Sequence, residues 1–400
     1  MQFQIIDNKS ECLSVYDHDI QDIVKEPNES AFTRTWSYHP RLRDKHIEYA
    51  QLYVGGKTLD DVCPSHLRED WESIMQKHVA FQKSFRLSKV STFEHCFYDL
   101  VPNFFPKKFF QIKSLISEHV LDHYARPTNY DDLVKLSELV YDIKMRRLNI
   151  DMAYLNRKSY DDAAMGFKKK LKKTKPFIQY NIFGSVTGRL AVNHGSFPIL
   201  NLQKEFRRIL KPNNDIFVEL DFNASQLRVL LALNGVEPPP GDIHDWNLKQ
   251  LQGIYNEDLT REAVKNKIFS WLYNNSASLG IPKLEALYDK KKALNKWYDG
   301  NKVTSPFGDE LKADDWHALN YLIQRTEATN FYRRAAAIND LLREKKSCIT
   351  ALIHDSLLID FSMEDKPLLN QIVKTFGDTD LGKWKTNCKV GKTFGDMKDV

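Results

Sequence analysis

Two apolar segments, far apart in the chain and each carrying an acid at a polar break, constrain the fold more than any other feature. Ile216-Phe-Val-Glu-Leu-Asp-Phe222 reads as a buried strand with Asp221 near its end. Residues 347–361 hold two apolar runs, Ala351-Leu-Ile353 and Leu357-Leu-Ile359, on either side of His354-Asp355. That pattern predicts a β-hairpin with His354 and Asp355 at its turn. His-Asp is not a favoured two-residue turn, which would be Asn-Gly or Asp-Gly, so a role beyond turn-making is open for Asp355. Asp221 by itself reads first as the N-cap of the segment Ala224–Leu233 that follows it. A strand, a long helical stretch over 243–298 and then a hairpin predict one mixed sheet with a large helical insertion.

The remaining pattern is helical at 60–100, 108–125 and 131–147, with two short strands in 1–20 joined by a turn near Asp7–Ser10. Mean hydropathy is −0.49 and 28% of residues are charged, the profile of a soluble globular protein. No apolar stretch approaches the roughly 18 residues of a membrane helix, and the first residues lack the basic and apolar regions of a secretory signal. The five cysteines are widely spaced with no Cys-x-x-Cys pair, which excludes a zinc knuckle and points to a reducing compartment, the cytoplasm. The net charge of +5 permits nucleic-acid binding without requiring it. The strongest basic run, with Lys168, Lys169, Lys170, Lys172 and Lys173, is either a phosphate-tracking strip or a solvated helix face.

Arg261, Lys265, Phe269 and Tyr273 recur every fourth residue, near one face of a helix, over about 18 Å at 1.5 Å per residue. Two cations followed by two aromatics match the polarity of a nucleoside triphosphate, phosphates at one end and base at the other. A surface helix with a half-buried aromatic stripe has the same spacing.

Taken in order, these elements resemble the family A DNA polymerases, the group of bacterial DNA polymerase I and many phage replicases, over residues 130–400. Thr187-Gly-Arg-Leu190 is similar to the family's TGRL element and Asn201-Leu-Gln203 to its NLQ. Asp221-Phe-Asn-Ala-Ser-Gln-Leu-Arg228 resembles motif A, Asp242-Ile-His244 the DIH after it, and Arg261 to Tyr273 motif B. Asn320-xxx-Gln324 resembles the NxxxQ element and Ile353-His-Asp355 motif C.

The resemblance implies an α+β right-hand polymerase fold with a small N-terminal domain. The expected divisions are an N-terminal domain over 1–130, a reduced thumb over 131–185, palm over 186–235, helical fingers over 236–325, and palm with the catalytic hairpin over 326–400. It implies a template-directed DNA polymerase that extends a primer with dNTPs. Asp221 and Asp355, with the Phe222 carbonyl, would hold two Mg²⁺ ions. His244, Arg261, Lys265, Phe269, Tyr273 and Gln226 would bind the nucleotide. Arg189, Asn201, Gln203, Asn320, Gln324 and His354 would contact primer-template DNA, with the lysine run beside them. A separate processivity, helicase or primase partner is expected, and no membrane. The small size suggests a phage-type member, located then in the host cytoplasm.

The chain departs from the family's pattern at several positions. Gln226 and Ser356 stand where motifs A and C usually carry glutamate, Trp316 stands where an arginine precedes Asn320, Arg325 replaces the glycine after Gln324, and Asn274 the glycine after Tyr273. Phe269 in place of tyrosine implies poor use of dideoxynucleotides. Ser356 also resembles the single-subunit RNA polymerases, which keeps an RNA polymerase or primase as the alternative. A catalytically inactive DNA-binding scaffold is a third. The N-terminal residues occupy the place of a proofreading exonuclease but show no early Asp-x-Glu pair, so no nuclease activity is expected.

Overall fold

A computed structural model describes residues 1–400 except 7–13, 26, 91–94, 158–160, 252–259 and 275–277. The chain forms two compact units, Met1–Tyr141 and Asp142–Val400. The described cysteines Cys63, Cys96, Cys348 and Cys388 are all free.

In the first unit, β1 (Phe3–Ile5), β2 (Ser14–Asp17) and β3 (Asp22–Lys25) form an antiparallel sheet. The predicted turn between β1 and β2 lies outside the described residues. Gln2 bridges in parallel to Arg34 of β4 (Arg34–Thr35), which pairs in parallel with β5 (Glu48–Tyr49), so the strands lie in the order β3-β2-β1-β4-β5. Helices α1 (Arg68–Leu87) and α2 (Phe104–His123) follow. Trp71, Phe105, Phe109 and Phe110 form the centre of an aromatic core. Gln2 and Gln4 donate to the Ser114 and Ser117 hydroxyls at 2.9 and 3.1 Å, which ties β1 to α2. The unit extends past residue 130 because α3 (Tyr130–Met145) begins inside it: the Tyr130 hydroxyl accepts from the Tyr49 amide at 2.8 Å.

The second unit is built on a five-stranded sheet. Its centre is β6 (Ile216–Phe222), buried along most of its length. On one side lie β8 (Ser356–Phe361) and then β7 (Cys348–Ile353); on the other lie β9 (Thr386–Gly391) and β10 (Lys398–Asp399). Every pairing is antiparallel, where the strand–helices–hairpin order by itself suggests a mixed sheet and the right-hand palm implied by the resemblance allows a mixed or an antiparallel one. β9 carries little apolar alternation and escapes a sequence reading, yet supplies β6 with its second antiparallel neighbour. Phe222 anchors the sheet to the helical layer, stacking on Phe376 with centroids 4.2 Å apart and meeting Trp384 at 5.0 Å.

Helix α4 (Asp162–Leu171) is capped by Asp161, whose carboxylate accepts from the Ala163 amide at 2.9 Å. Lys168, Lys169 and Lys170 fall in its last turn, where cations complement the helix dipole. Helix α5 (Ser225–Leu233) follows β6, then α6 (Ile243–Leu251) and α7 (Arg261–Leu272), the last capped by Thr260. Two short helices, 282–287 and 290–297, complete the helical insertion, which ends in a small hairpin of 302–304 and 310–312 that the sequence does not predict. Gly308 at φ 82 and the Ser305–Asp309 hydrogen bonds close that hairpin. The long α8 (Ala318–Leu341) and α9 (Leu369–Gly377) pack beside the sheet.

Candidate active site

The sheet brings the two acids to one place. Asp221 stands opposite Ser356 in the β6–β8 register, and Asp355 immediately precedes Ser356 in the two-residue turn between β7 and β8. His354, the other turn residue, adopts φ 57 without being glycine, a backbone cost of the kind that clusters at functional sites. Ala224, at φ 52, holds the cap position of α5, so Asp221 is not its N-cap. The Asp221 carboxylate instead accepts from Asn387 Nδ2 on β9 at 3.3 Å. Burial, and then the neighbouring Asp355, push the Asp221 carboxyl up to about 7.

A polar chain runs on from Asp355. Ser225 Oγ lies 2.8 Å from Asp355 Oδ2 and also donates to Glu327 of α8. Glu327, only 5% exposed, forms an ion pair with Arg189, and Gln226 Nε2 reaches it at 3.4 Å. Burial, and then Asp355, raise the Glu327 carboxyl above its ordinary range. Tyr273, at the C-terminus of α7, has its phenol pushed up to about 12 by partial burial and then by Glu327. Arg189, Gln226 and Tyr273, separated in sequence, thus share one electrostatic environment with the acids.

A second cluster lies along α6 and α7. Arg261 donates to Asp242 at 2.8 Å and to Asp245 at 3.1 Å. Burial works against ionisation of Asp242, but hydrogen bonds from Arg261, the Asp245 amide and Asn223 hold its carboxyl well below the usual range. His244 is buried, which lowers its basicity, and its ring lies 5.9 Å from that of Phe269. Its Nδ1 finds no hydrogen-bond partner among the described residues. Lys265 pairs loosely with Glu262 at 3.6 Å. Arg228, fully buried, explains how this cluster is held to β6: it donates to the Asn223 carbonyl at 2.6 Å and to the Gly241 carbonyl at 2.5 Å.

A groove of about 580 Å³ gathers Lys170, Lys173, Asn201 and His354. Lys168, Lys169, Lys172 and Gln203 are not among the residues that line it. Asn320 and Gln324 hydrogen-bond to each other along α8 at 2.6 Å, and Trp316 is exposed ahead of that helix. Arg325 packs over Gly188, whose added Cβ would lie 1.7 Å from the guanidinium, and pairs with Asp309 at 2.6 Å. The arginine in place of glycine at 325 therefore has a structural partner.

Sequence motifs do not reveal Glu327, Glu219, Ser225 or Asn387. Glu327 leaves a trace: it lies on the same apolar stripe of α8 as Leu319, Leu322 and Ile323, where a charge needs a partner. Glu219 shares a face of β6 with Asp221 by the two-residue period, and its Oε1 accepts from Ser356 Oγ at 3.0 Å.

Two comparisons bear on this arrangement. No protein-family model matches the chain. DNA polymerase I of Aquifex aeolicus (strain VF5) is 24% identical over 267 residues, covering 55% of this chain and 46% of that protein, so the chain spans about half the length of the curated relative. Among solved structures, the POL domain of Pol1 from M. smegmatis, in complex with DNA primer-template and dNTP, superposes with a TM-score of 0.64 at 12% identity, over 91% of this chain and 86% of that one. The chain is thus similar in sequence to a DNA polymerase I over about half its length and carries the fold of a polymerase domain.

Proposed function

We propose that the chain is a template-directed DNA polymerase, extending a primer 3′ end with dNTPs. The observation that carries this reading is the placing of Asp221, near the end of β6, next to Asp355 in the β7–β8 turn, whose other residue, His354, lines a groove with Lys170 and Lys173. The reaction joins the primer 3′ oxygen to the α-phosphorus of the dNTP and breaks the α–β phosphoanhydride, releasing pyrophosphate.

The two acids fit a pair of Mg²⁺ ions. Burial, and then Asp355, push the Asp221 carboxyl up to about 7, a cost that divalent cations relieve, and the donors on offer are oxygens. No cluster of three or more metal-binding side chains occurs among the described residues, so the Phe222 carbonyl and substrate oxygens complete the set. When bound, the ions lower the cost of charge on the attacking and leaving oxygens. His244, with its unpartnered Nδ1, Lys265 and Arg261 receive the triphosphate. Arg261 has five donors, two of them engaged by Asp242 and Asp245. Phe269 and Tyr273 stack at the base, and Gln226 sits under the sugar. Arg189, Asn201, Gln203, Asn320, Gln324, His354 and the lysines hold primer-template DNA, a sequence-independent grip through phosphates and groove edges. In this reading residues 131–185 are a reduced thumb, 236–325 fingers, and 186–235 with 326–400 the palm.

Proofreading is absent from the proposal. The N-terminal unit has a cavity of about 340 Å³ at the ends of β1 and β4, and its lining of Lys113, His39, His78, Tyr98 and neighbours includes no carboxylate. A two-metal nuclease needs several. Among the described residues no helix is long and apolar enough to cross a membrane. A cytoplasmic setting, in the host if the chain is phage-encoded, and a separate processivity partner complete the proposal.

Primer extension on a primed DNA template with Mg²⁺ tests it, with dNTPs and NTPs in parallel. Extension with dNTPs is expected. Ser356 favours the RNA polymerase or primase reading as the alternative, and extension with NTPs alone would establish it. DNA binding without extension by either would indicate a scaffold.

A further inference from the structure

Both family glutamates missing from this chain are replaced by residues that donate hydrogen bonds to a different, buried glutamate. At motif A, Gln226 Nε2 reaches Glu327 at 3.4 Å. At motif C, Ser356 Oγ donates to Glu219 at 3.0 Å. Both acceptors are buried, Glu327 at 5% and Glu219 at 9% exposure. In each pair a glutamate at the motif position would replace that donor with a second carboxylate. A buried pair of like charges is strongly unfavourable, so the amide at 226 and the hydroxyl at 356 are the chemical complements of Glu327 and Glu219.

We propose that the two motif glutamates have been relocated in space, onto Glu327 of α8 and Glu219 of β6. Glu327 is a positioning residue: it fixes Gln226 under the nucleotide sugar and Arg189 beside the primer terminus. The connections are continuous. Arg189 neutralises Glu327, Ser225 Oγ contacts both Glu327 and Asp355, and Gln226 completes the carboxylate's hydrogen bonds. Glu219 does the equivalent on the sheet, bonding Ser356 on the face of β6 that carries Asp221. The inference rests on the polymerase reading for what the residues position, but not for the pairing itself.

Swapping the carboxylates tests it. The variants are Glu327→Gln, Gln226→Glu and the double exchange, with Glu219→Ser, Ser356→Glu and their double as the second set. Single-nucleotide incorporation gives kcat, KM and the dNTP/NTP preference, and thermal melting gives Tm. Each single variant is expected to lose about ten-fold or more in kcat/KM, the cost of one unsatisfied buried polar group. The double exchange should recover to within a few-fold, with the dNTP/NTP preference restored. Tm should follow the same non-additive course: both singles lowered, the double close to wild type. Doubles that equal the product of the singles in rate and the sum in Tm would overturn the relocation. An unchanged kcat/KM in Glu327→Gln would overturn the positioning role. Should the wild type incorporate neither dNTP nor NTP, the polymerase reading falls alone, and Tm non-additivity still decides the pairing. Should a single variant fail to fold, Gln226→Ala and Ser356→Ala enter the Tm cycle in its place.

Discussion

Removing the charge of Asp221 should stabilise the metal-free protein at neutral pH while abolishing its proposed activity. The Asp221 carboxyl is held at about 7, against an ordinary value of 3.8, by burial and by Asp355. A carboxyl raised by folding binds its proton more tightly in the folded state, so its contribution to stability is full below about pH 4 and is lost as pH rises through 7. Three units at 1.36 kcal/mol each give about 4 kcal/mol as the upper limit of that loss. Over the second unit, residues 142–400, an unfolding entropy of about 2.1 cal/mol/K per residue converts this to about 7 °C in Tm. Asp221→Asn removes the ionisation but keeps the shape and the contact to Asn387. Calorimetry in EDTA between pH 5 and 8.5 should show the Tm gap, variant minus wild type, opening in favour of the variant as pH rises. Adding Mg²⁺ at pH 8 should raise the wild-type Tm and close the gap. A gap that is constant with pH, or one that narrows toward pH 8 without metal, would refute the argument that Asp221 and Asp355 repel each other in a buried site.

Three further perturbations have defined outcomes. Gly188→Ala places a Cβ 1.7 Å from the Arg325 guanidinium at a φ of +75, and should cost about 2 kcal/mol or more, read as a lowered denaturation midpoint. Lys170→Ala and Lys173→Ala should weaken primer-template binding equally for all sequences and each reduce the slope of log K against log salt by about 1, measured by fluorescence anisotropy. Phe269→Tyr restores the hydroxyl that the family resemblance associates with dideoxynucleotide use, and should raise chain termination by ddNTPs in a primer-extension ladder.

Much of the fold is written in local pattern. β6, α5 and the β7–β8 hairpin fall where the apolar runs predict, because their side chains are buried by the sheet whatever the rest of the chain does. The antiparallel character of the sheet is not local. It is set by how distant strands pair, and one of them, β9 from Thr386 to Gly391, is only half-buried and carries no alternation strong enough to read. The site divides in the same way. Asp221, the His354–Asp355 turn and the α7 ladder are legible from spacing, since each is a local pattern. Arg189, Gln226 and Glu327 meet only through tertiary packing, and no motif records Glu327. Its one signal is a charge on the buried stripe of α8, which says that a partner exists without saying that the partner is Arg189. The Arg261 ladder is informative in a second way: its first cation is paired with Asp242 and Asp245, which the spacing does not record.

The central claim is that Asp221 and Asp355 form one reaction centre for nucleotidyl transfer. Single-turnover incorporation of the next templated dNTP onto a labelled primer, by wild type, Asp221→Asn and Asp355→Asn, tests it most directly. The account predicts templated, Mg²⁺-dependent incorporation by the wild type and a loss of about a thousand-fold or more in each variant, with primer-template affinity retained. Incorporation at wild-type rate by either folded variant would contradict it.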